Sequence, residues 1–149
     1  MSEDVSGVNT VINIVASETF PAGLTITNLA DDSDPLDFAA VEIADSSVGA
    51  NGDLIVWAKA NKIPMVVSVI AGSIDDQNLE ILFNANRVAY GKVVAGDVIS
   101  ATVIYPDGSM KSPFGGRCIS YMPGKSIASG SFRFKTKVYT FVFSDYVGI

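Results

Sequence analysis

The alternation of apolar and polar residues predicts that most of this chain forms β-strands. Valine, isoleucine, threonine and aromatic residues are concentrated in short runs, and glycine, proline, asparagine or aspartate separates the runs. The predicted strands cover residues 8–15, 24–27, 63–71, 97–105, 117–122 and 131–144. No proline-rich or serine-rich linker interrupts this order, so residues 1–149 are expected to form a single, mainly β domain.

Residues 37–59 are predicted to form one long β-hairpin. Apolar residues alternate over 38–44, and the chain returns through the apolar run 54–58, which contains Trp57. Between them, Gly-Ala-Asn-Gly-Asp at 49–53 is typical of a tight turn, because Asn-Gly readily adopts the positive φ angles that such a turn requires. The tip of the hairpin is expected near Asn51.

One segment, residues 74–85, has a helical period instead. Ser73 precedes it as a good N-cap, and two aspartates in the first turn suit the helix dipole. Its apolar positions recur every three or four residues, which predicts a helix face that packs on the core. The residues of this face are Leu79, Leu82 and Phe83.

The final predicted strand, 131–144, changes character halfway. In its first half apolar residues alternate with basic ones, and in its second half both faces are mostly apolar. This pattern is typical of a strand that leaves a half-exposed sheet and becomes covered on both sides. It predicts an exposed basic face of Arg133, Lys135 and Lys137, and core positions for Phe141 and Phe143.

Composition excludes most catalytic chemistry. The chain has no histidine and a single cysteine, Cys118. The commonest general base and metal ligand is therefore absent, and one cysteine can form neither an intrachain disulfide nor a cysteine-rich zinc site. Cys118 lies in an apolar run, which indicates a small buried side chain rather than a nucleophile. We expect no enzyme, no metal and no cofactor.

Two loops resemble ligand sites only superficially. Residues 31–37 contain four aspartates, and oxygen-rich loops of this kind can hold calcium. In the spacing of an EF-hand, however, Pro35 falls at a ligand position and Leu36 at the glycine position, so we interpret the segment as a solvated acidic loop. Gly115-Gly116-Arg117 lacks the lysine and the following helix of a phosphate-binding loop and predicts a bulge or tight turn.

The net charge of −6 is unevenly distributed along the chain. Residues 1–58 contain ten acidic residues and no basic one, whereas residues 59–149 contain six acidic and ten basic ones. The two parts could pair within one molecule, or an acidic patch could meet a basic patch of the next copy in a head-to-tail oligomer. Aromatic residues interleave with the bases of the last third, as on a nucleic-acid-binding face, but the isoelectric point of about 4.4 argues against that interpretation.

Hydrophobic residues make up 48% of the chain and charged residues only 17%, against about 25% charged in typical soluble domains. A chain of this kind is expected to bury surface against other copies of itself. Its longest apolar run, residues 63–71, is interrupted by proline and serine and is too short to cross a membrane. The acidic start of the chain does not resemble a secretion signal, so synthesis in the host cytoplasm is expected.

The order of these segments resembles the tail tube proteins of contractile-tailed bacteriophages, in particular the PhiTE-type family. The resemblance covers most of the chain and is most specific in its last third. It is carried by the turn at 49–53, the strand and helix at 63–86, Gly-Gly-Arg-Cys-Ile at 115–119, and residues 123–128 and 130–143.

This resemblance implies a β-sandwich or partly closed barrel with one flanking helix. It implies homohexameric rings that stack into a hollow tube of the virion, through which the genome is delivered. The implied partners are other copies of the chain, the tail sheath, the baseplate, the tail terminator, and the tape measure protein and then DNA in the lumen. The hairpin and residues 1–12 are expected to contact other subunits.

Acidic residues are expected to line the lumen, since a basic lining would retain DNA phosphates, and the candidates are Glu42 and Asp45. We further hypothesise that acids of residues 1–58 meet bases of the last third across a subunit or ring boundary. The candidate contact residues are Val48, Asn51, Asp53, Trp57, Arg133, Lys135 and Lys137. Two alternatives stay open: the inner tube of a phage-related secretion or bacteriocin particle, and a monomeric β-sandwich binding module. The aromatic residues lie mainly on predicted strands rather than loops, which favours assembly.

Overall fold

The computed structural model describes residues 10–29 and 35–148. This part of the chain contains one α-helix, α1 (Ile74–Ala85), and eleven β-strands. The strands are β1 (Val11–Ala16), β2 (Phe20–Ile26), β3 (Leu36–Phe38), β4 (Ala44–Val48), β5 (Leu54–Ala58), β6 (Ile63–Val69), β7 (Ile99–Ile104), β8 (Met110–Phe114), β9 (Arg117–Tyr121), β10 (Lys137–Phe143) and β11 (Asp145–Gly148). The expectation of a mainly β protein is confirmed.

Nine of these strands form two antiparallel sheets. In the first sheet the order is β11-β8-β7-β1-β2, and in the second it is β3-β6-β10-β9. Neither sheet closes on itself, so the architecture is a β-sandwich and not a barrel. The remaining strands, β4 and β5, pair only with each other.

The core lies between the two sheets because each central strand buries alternate residues. In β1 these are Ile12, Ile14 and Ala16, and β10 contributes Tyr139, Phe141 and Phe143 from the other sheet. The same continuous cluster includes residues of β2, β6, β7 and the helix. Phe141 packs edge-on against Phe83, with ring centroids 4.9 Å apart.

The helix has the bounds that its sequence predicts. Ser73 caps it, because its hydroxyl accepts a hydrogen bond from the Asp76 amide at 3.2 Å. Leu79, Leu82 and Phe83 are all buried in the sandwich core. The helix contacts β2 and β9, which are edge strands of the first and second sheet. It is not long and apolar enough to cross a membrane.

The hairpin is shorter than predicted. Residues 36–38 do not belong to it; they form β3, which pairs with β6 at the edge of the second sheet. Leu36 and Phe38 are half-buried there, so this part of the alternating pattern serves the sandwich. The free hairpin comprises only β4 and β5, and residues 39–43 connect it to the sandwich without forming a strand.

The last strand is also shorter than the predicted range 131–144, since β10 begins at Lys137. The prediction that Lys137 is exposed is wrong, because Lys137 shares the buried face of β10 with Tyr139 and is only 1% exposed. Strand β2 begins at Phe20, earlier than the predicted range 24–27. Pro21 is tolerated there since β2 is an edge strand, which leaves one side of the backbone unpaired. Strands β8 and β11 were not predicted.

Candidate assembly surfaces

The β4–β5 hairpin, residues 44–58, projects from the sandwich and is called the arm below. Its strands pair in register from Ala44 with Ala58 to Val48 with Leu54. The turn is closed by hydrogen bonds from the Gly49 amide to the Asp53 carbonyl at 2.8 Å and from the Gly52 amide to the Gly49 carbonyl at 2.9 Å. Gly52 has a φ of 89°, which a side chain would disfavour, so the Asn51-Gly52 pair makes the predicted tip.

The two faces of the arm differ in chemistry. Cross-strand partners share a face, so Ser46 and the pairs Ala44–Ala58 and Val48–Leu54 lie together with Val56 on a face without charge. Val48, Leu54 and Val56 are 69%, 67% and 59% exposed, respectively. The opposite face carries Ile55 and the pair of Asp45 with Trp57.

The arm has no core of its own, and all five residues of β5 are exposed. Within the described residues its strands pair with no strand of the sandwich. An isolated two-stranded hairpin is marginally stable in water, and contiguous exposed apolar patches are typical of interaction sites. The arm is therefore an element whose apolar surface the rest of the described chain does not cover.

The stem of the arm is held together at its base. The Lys59 ammonium lies 3.3 Å from the Glu42 carboxylate, and the Lys59 amide donates to the Ile43 carbonyl at 2.9 Å. The Asn61 side-chain amide donates to the Glu42 carbonyl. Glu42, a candidate for the lumen, is thus exposed but already paired with a lysine.

A second projecting element, residues 125–135, is called the basic loop below. The Lys135 amide donates to the Ser126 carbonyl at 2.6 Å, and the Ala128 amide donates to the Arg133 carbonyl at 2.7 Å. These bonds and a bridge between Ile127 and Phe134 give the loop the shape of a small hairpin. The loop contains no acidic residue, and its three basic residues are Lys125, Arg133 and Lys135.

Phe132 lies at the tip of the basic loop and is 89% exposed. Its φ of 55° is the one positive value outside glycine among the described residues, a conformation that is strained for an aromatic residue. A hydrogen bond from the Phe132 amide to the Ala128 carbonyl at 3.2 Å holds it there. Strained residues of this kind occur preferentially at functional sites.

Lys137, a predicted contact residue, belongs instead to a buried network that fixes the helix to the second sheet. Its ammonium lies 3.5 Å from the Asp76 carboxylate. The Tyr139 hydroxyl donates to the same carboxylate oxygen at 2.6 Å, and the Gly72 amide donates to the other oxygen at 2.9 Å. Burial and the Asp76 carboxylate raise the pKa of Tyr139, so the phenol stays a hydrogen-bond donor.

Asp97 forms a second buried polar network that the sequence pattern did not reveal. One carboxylate oxygen accepts from the amides of Glu18 and Thr19, and the other accepts from the Thr19 hydroxyl and from the Asn86 side-chain amide at 2.8 Å. Burial alone would raise the pKa of Asp97, but these hydrogen bonds outweigh it and hold the pKa below its ordinary value. The network connects the β1–β2 turn and the C-terminus of the helix to the segment that leads into β7.

The remaining candidates have no ligand geometry. Burial raises the pKa of the Cys118 thiol to about 12, so the thiolate that a nucleophile requires is disfavoured. In the acidic segment 31–37, residues 31–34 lie outside the described residues. Across the part of the chain that is described, no three cysteine, aspartate or glutamate side chains gather as a metal site requires.

The predicted contact residues fall on two separate surfaces. Val48, Asn51, Asp53 and Trp57 lie on the arm, whereas Arg133 and Lys135 lie on the basic loop. Asp45 lies on the arm beside Trp57. Residues 1–9 of the expected N-terminal contact segment, 1–12, are outside the described residues.

A family model described as tail fiber protein gp32 matches residues 3–147. The chain belongs to this family. It is a structural component of a phage tail or of a related contractile particle, as the first resemblance implied at this coarser level. A comparison with curated proteins found no match.

Solved structures of contractile particles contain chains with the same fold as this gp32-family protein. A chain in the cryo-EM structure of the anti-feeding prophage cap has a TM-score of 0.56 at 8% identity and is matched over 93% of its length. A chain in the 6-fold symmetrised baseplate of the same particle also has a TM-score of 0.56 at 8% identity, with 97% matched. A chain in the sheath–tube complex of an extracellular contractile injection system has a TM-score of 0.52 at 11% identity, with 93% matched. Each match covers the whole of the present chain.

Proposed function

We propose that the protein is the tube subunit of a contractile phage tail, of the PhiTE type, and that its function is the assembly itself. Homohexameric rings stack into a hollow conduit inside a sheath, and the genome passes through the lumen. The observation that carries this proposal is the arm, an apolar hairpin that the described part of its own chain leaves uncovered. No catalytic function is proposed.

The sandwich offers the open edges that a ring of subunits would use. The first sheet ends at β11 and β2, and the second ends at β3 and β9. Unpaired strand edges tend to add further strands, and joining sheets side by side in a closed ring removes that hazard. The 6-fold symmetrised baseplate that contains a chain of this fold supports a ring of six.

The lumen of the proposed tube is lined by acidic side chains, and of the two candidates, Glu42 and Asp45, we assign Glu42 to the lining. A lining of this charge would let DNA phosphates pass without being retained, whereas a basic lining would bind them. The proposed partners are the sheath outside, the tape measure protein and then DNA inside, and the baseplate and terminator at the two ends. Glu42→Lys should slow DNA ejection, and unchanged ejection would refute the lining assigned here.

Electron microscopy of the purified protein tests the proposal directly. We expect rings or long hollow tubes at high protein concentration and low salt, and fewer at high salt because screening weakens contacts between charged surfaces. A monodisperse monomer of 15.7 kDa at high concentration would contradict the proposed function. An assembly that is indifferent to salt would contradict the role of charge but not the tube.

Two other roles have a specific observation in their favour. The family description names a tail fiber, and one solved structure that contains a chain of the same fold is that of a tube-terminating cap. A fiber subunit would form solid filaments, and a cap would form single rings that do not stack. Electron micrographs distinguish both outcomes from a hollow tube. A phage tail and a phage-derived particle would give the same images, because they share the proposed tube architecture.

A further inference from the structure

We propose that the arm of one copy docks on the basic loop of a second copy. The proposal rests on the proposed function, self-assembly, and names the surface that receives the arm. It is drawn from the charge, the apolar side chains and the exposure of these two projecting elements.

The two elements carry opposite charge. The arm and its stem contain Glu42, Asp45 and Asp53, and their one cation, Lys59, is paired with Glu42. Asp45 and Asp53 form no ion pair with any described residue. The basic loop supplies only cations, namely Lys125, Arg133 and Lys135.

Both elements also present apolar side chains beside these charges. On the arm, Ile55 and Trp57, which are 52% and 45% exposed, lie on the face that also carries Asp45. On the basic loop, Phe132 at the tip is accompanied by Ile127 and Phe134, which are 60% and 51% exposed. A specific interface usually has an apolar centre and a polar or charged rim. Rims of opposite charge determine which two surfaces bind each other.

The partner is a second copy because the isolated chain does not bring the two elements together. Both are exposed in the same molecule, so neither covers the other. Two different complementary surfaces on one chain generate a head-to-tail contact that every added copy repeats. Such a contact is what a ring or a stack of rings requires.

Charge reversal on each element tests the docking. The arm variant carries Asp45→Lys with Asp53→Lys, and the loop variant carries Lys125→Glu with Lys135→Glu. Each variant alone should lose about tenfold or more of the assembly that sediments at low salt, since like charges then face one another. An equimolar mixture should regain assembly because the reversed arm of one variant fits the reversed loop of the other. The chain with all four substitutions should regain it too.

Glu18→Lys with Glu80→Lys is the matched control for the arm variant, since it raises the net charge by the same amount outside both elements. It should assemble like the original protein, and melting temperatures should verify that every variant folds. Loss of assembly in the control to the same degree, or no recovery in the mixture, would overturn the docking.

Disulfide cross-linking gives a readout that does not depend on tube formation. In a Cys118→Ala background, a protein with Asp53→Cys is mixed with a protein with Lys135→Cys, so that any heterodimer links two copies. We expect heterodimer to form faster than in a control mixture of Glu18→Cys with Lys135→Cys. Equal rates would overturn the proposal, as would a rapid intrachain disulfide in a chain that carries both Asp53→Cys and Lys135→Cys.

The failures of the two proposals are distinguishable. If the original protein forms tubes that neither reversal affects, the docking is wrong and the tube stands. If the original protein forms no ring or tube, the proposed function fails, and the cross-linking result alone decides the docking.

Discussion

The sandwich and the arm are built from the same apolar residue types but differ in what surrounds those residues. In the sandwich, β10 buries Tyr139, Phe141 and Phe143, and even Lys137 has a carboxylate beside it. In the arm, every residue of β5 is exposed. The described chain therefore accounts for the sequence of the sandwich, whereas it leaves the apolar residues of the arm uncovered.

The largest expected difference in stability is between the loss of an aromatic side chain from the sandwich and the loss of one from the arm. Phe141→Ala should lower the free energy of unfolding by about 3–5 kcal/mol, because it leaves a cavity between Phe83 and Phe143. Trp57→Ala, on the arm, should cost less than about 1 kcal/mol in the dilute monomer. Denaturant unfolding measures both, and a loss below about 1 kcal/mol for Phe141→Ala would show that this face is not packed.

The next effect concerns charge inside and outside the core. Lys137→Met removes the cation beside the buried Asp76 carboxylate and should cost about 3 kcal/mol, since an unpaired buried charge remains. Lys135→Met removes the same charge from the exposed basic loop and should change stability by less than about 0.5 kcal/mol. Similar losses in the two variants, measured by chemical denaturation, would contradict the difference in burial between these lysines.

The comparison also explains which features the sequence could predict. The helix was predictable because its cap and its period are local signals. In β10 the alternation of side chains is visible in the sequence. The charge of Lys137 nevertheless predicts an exposed position, although Lys137 lies on the same face as Tyr139 and Phe141. Its partner Asp76 lies far away in the sequence, and no local pattern reveals such a pair.

The candidate surfaces were predictable only as far as turn chemistry and composition reach. Gly-Ala-Asn-Gly-Asp indicates the tip of the arm, but the predicted hairpin also includes residues 37 and 38, which belong to β3 and pair with the sandwich. Residues 131–135 of the basic loop are predicted as strand because they alternate, although hydrogen bonds close the loop into a small hairpin. Alternation reports that successive side chains differ in environment, and it does not report which strand, if any, lies alongside.

A smaller effect with a defined pH dependence is expected at Asp97. The folded pKa of Asp97 lies below its ordinary value of 3.8, so the carboxylate stabilises the fold above that pH and loses this contribution as the pH falls through the folded pKa. Asp97→Asn should cost about 1–2 kcal/mol at neutral pH, because the charged acceptor of four hydrogen bonds is lost. Urea unfolding from about pH 6 to about pH 3 should show a shallower decline for the variant than for the original protein.

Asp107→Asn is the control for that titration. The pKa of Asp107 is also lowered, mainly by hydrogen bonds from Ser109, but they lie within one exposed turn. Its removal should therefore change the pH profile less than Asp97→Asn does. A larger change at Asp107 would mean that the buried network contributes little to acid stability.

The smallest expected change in folding stability comes from removing the arm. Replacement of residues 44–58 by a short Gly-Ser linker should alter the free energy of unfolding by less than about 1 kcal/mol, because a shorter loop costs little entropy and no core residue is lost. The same replacement should abolish rings and tubes in electron micrographs, since the uncovered apolar surface is gone. A loss of several kcal/mol would show that the arm packs on its own sandwich in solution. Tubes that persist without it would show that the sheet edges suffice for assembly, and the division of the molecule into a self-sufficient sandwich and a dependent arm would then fail.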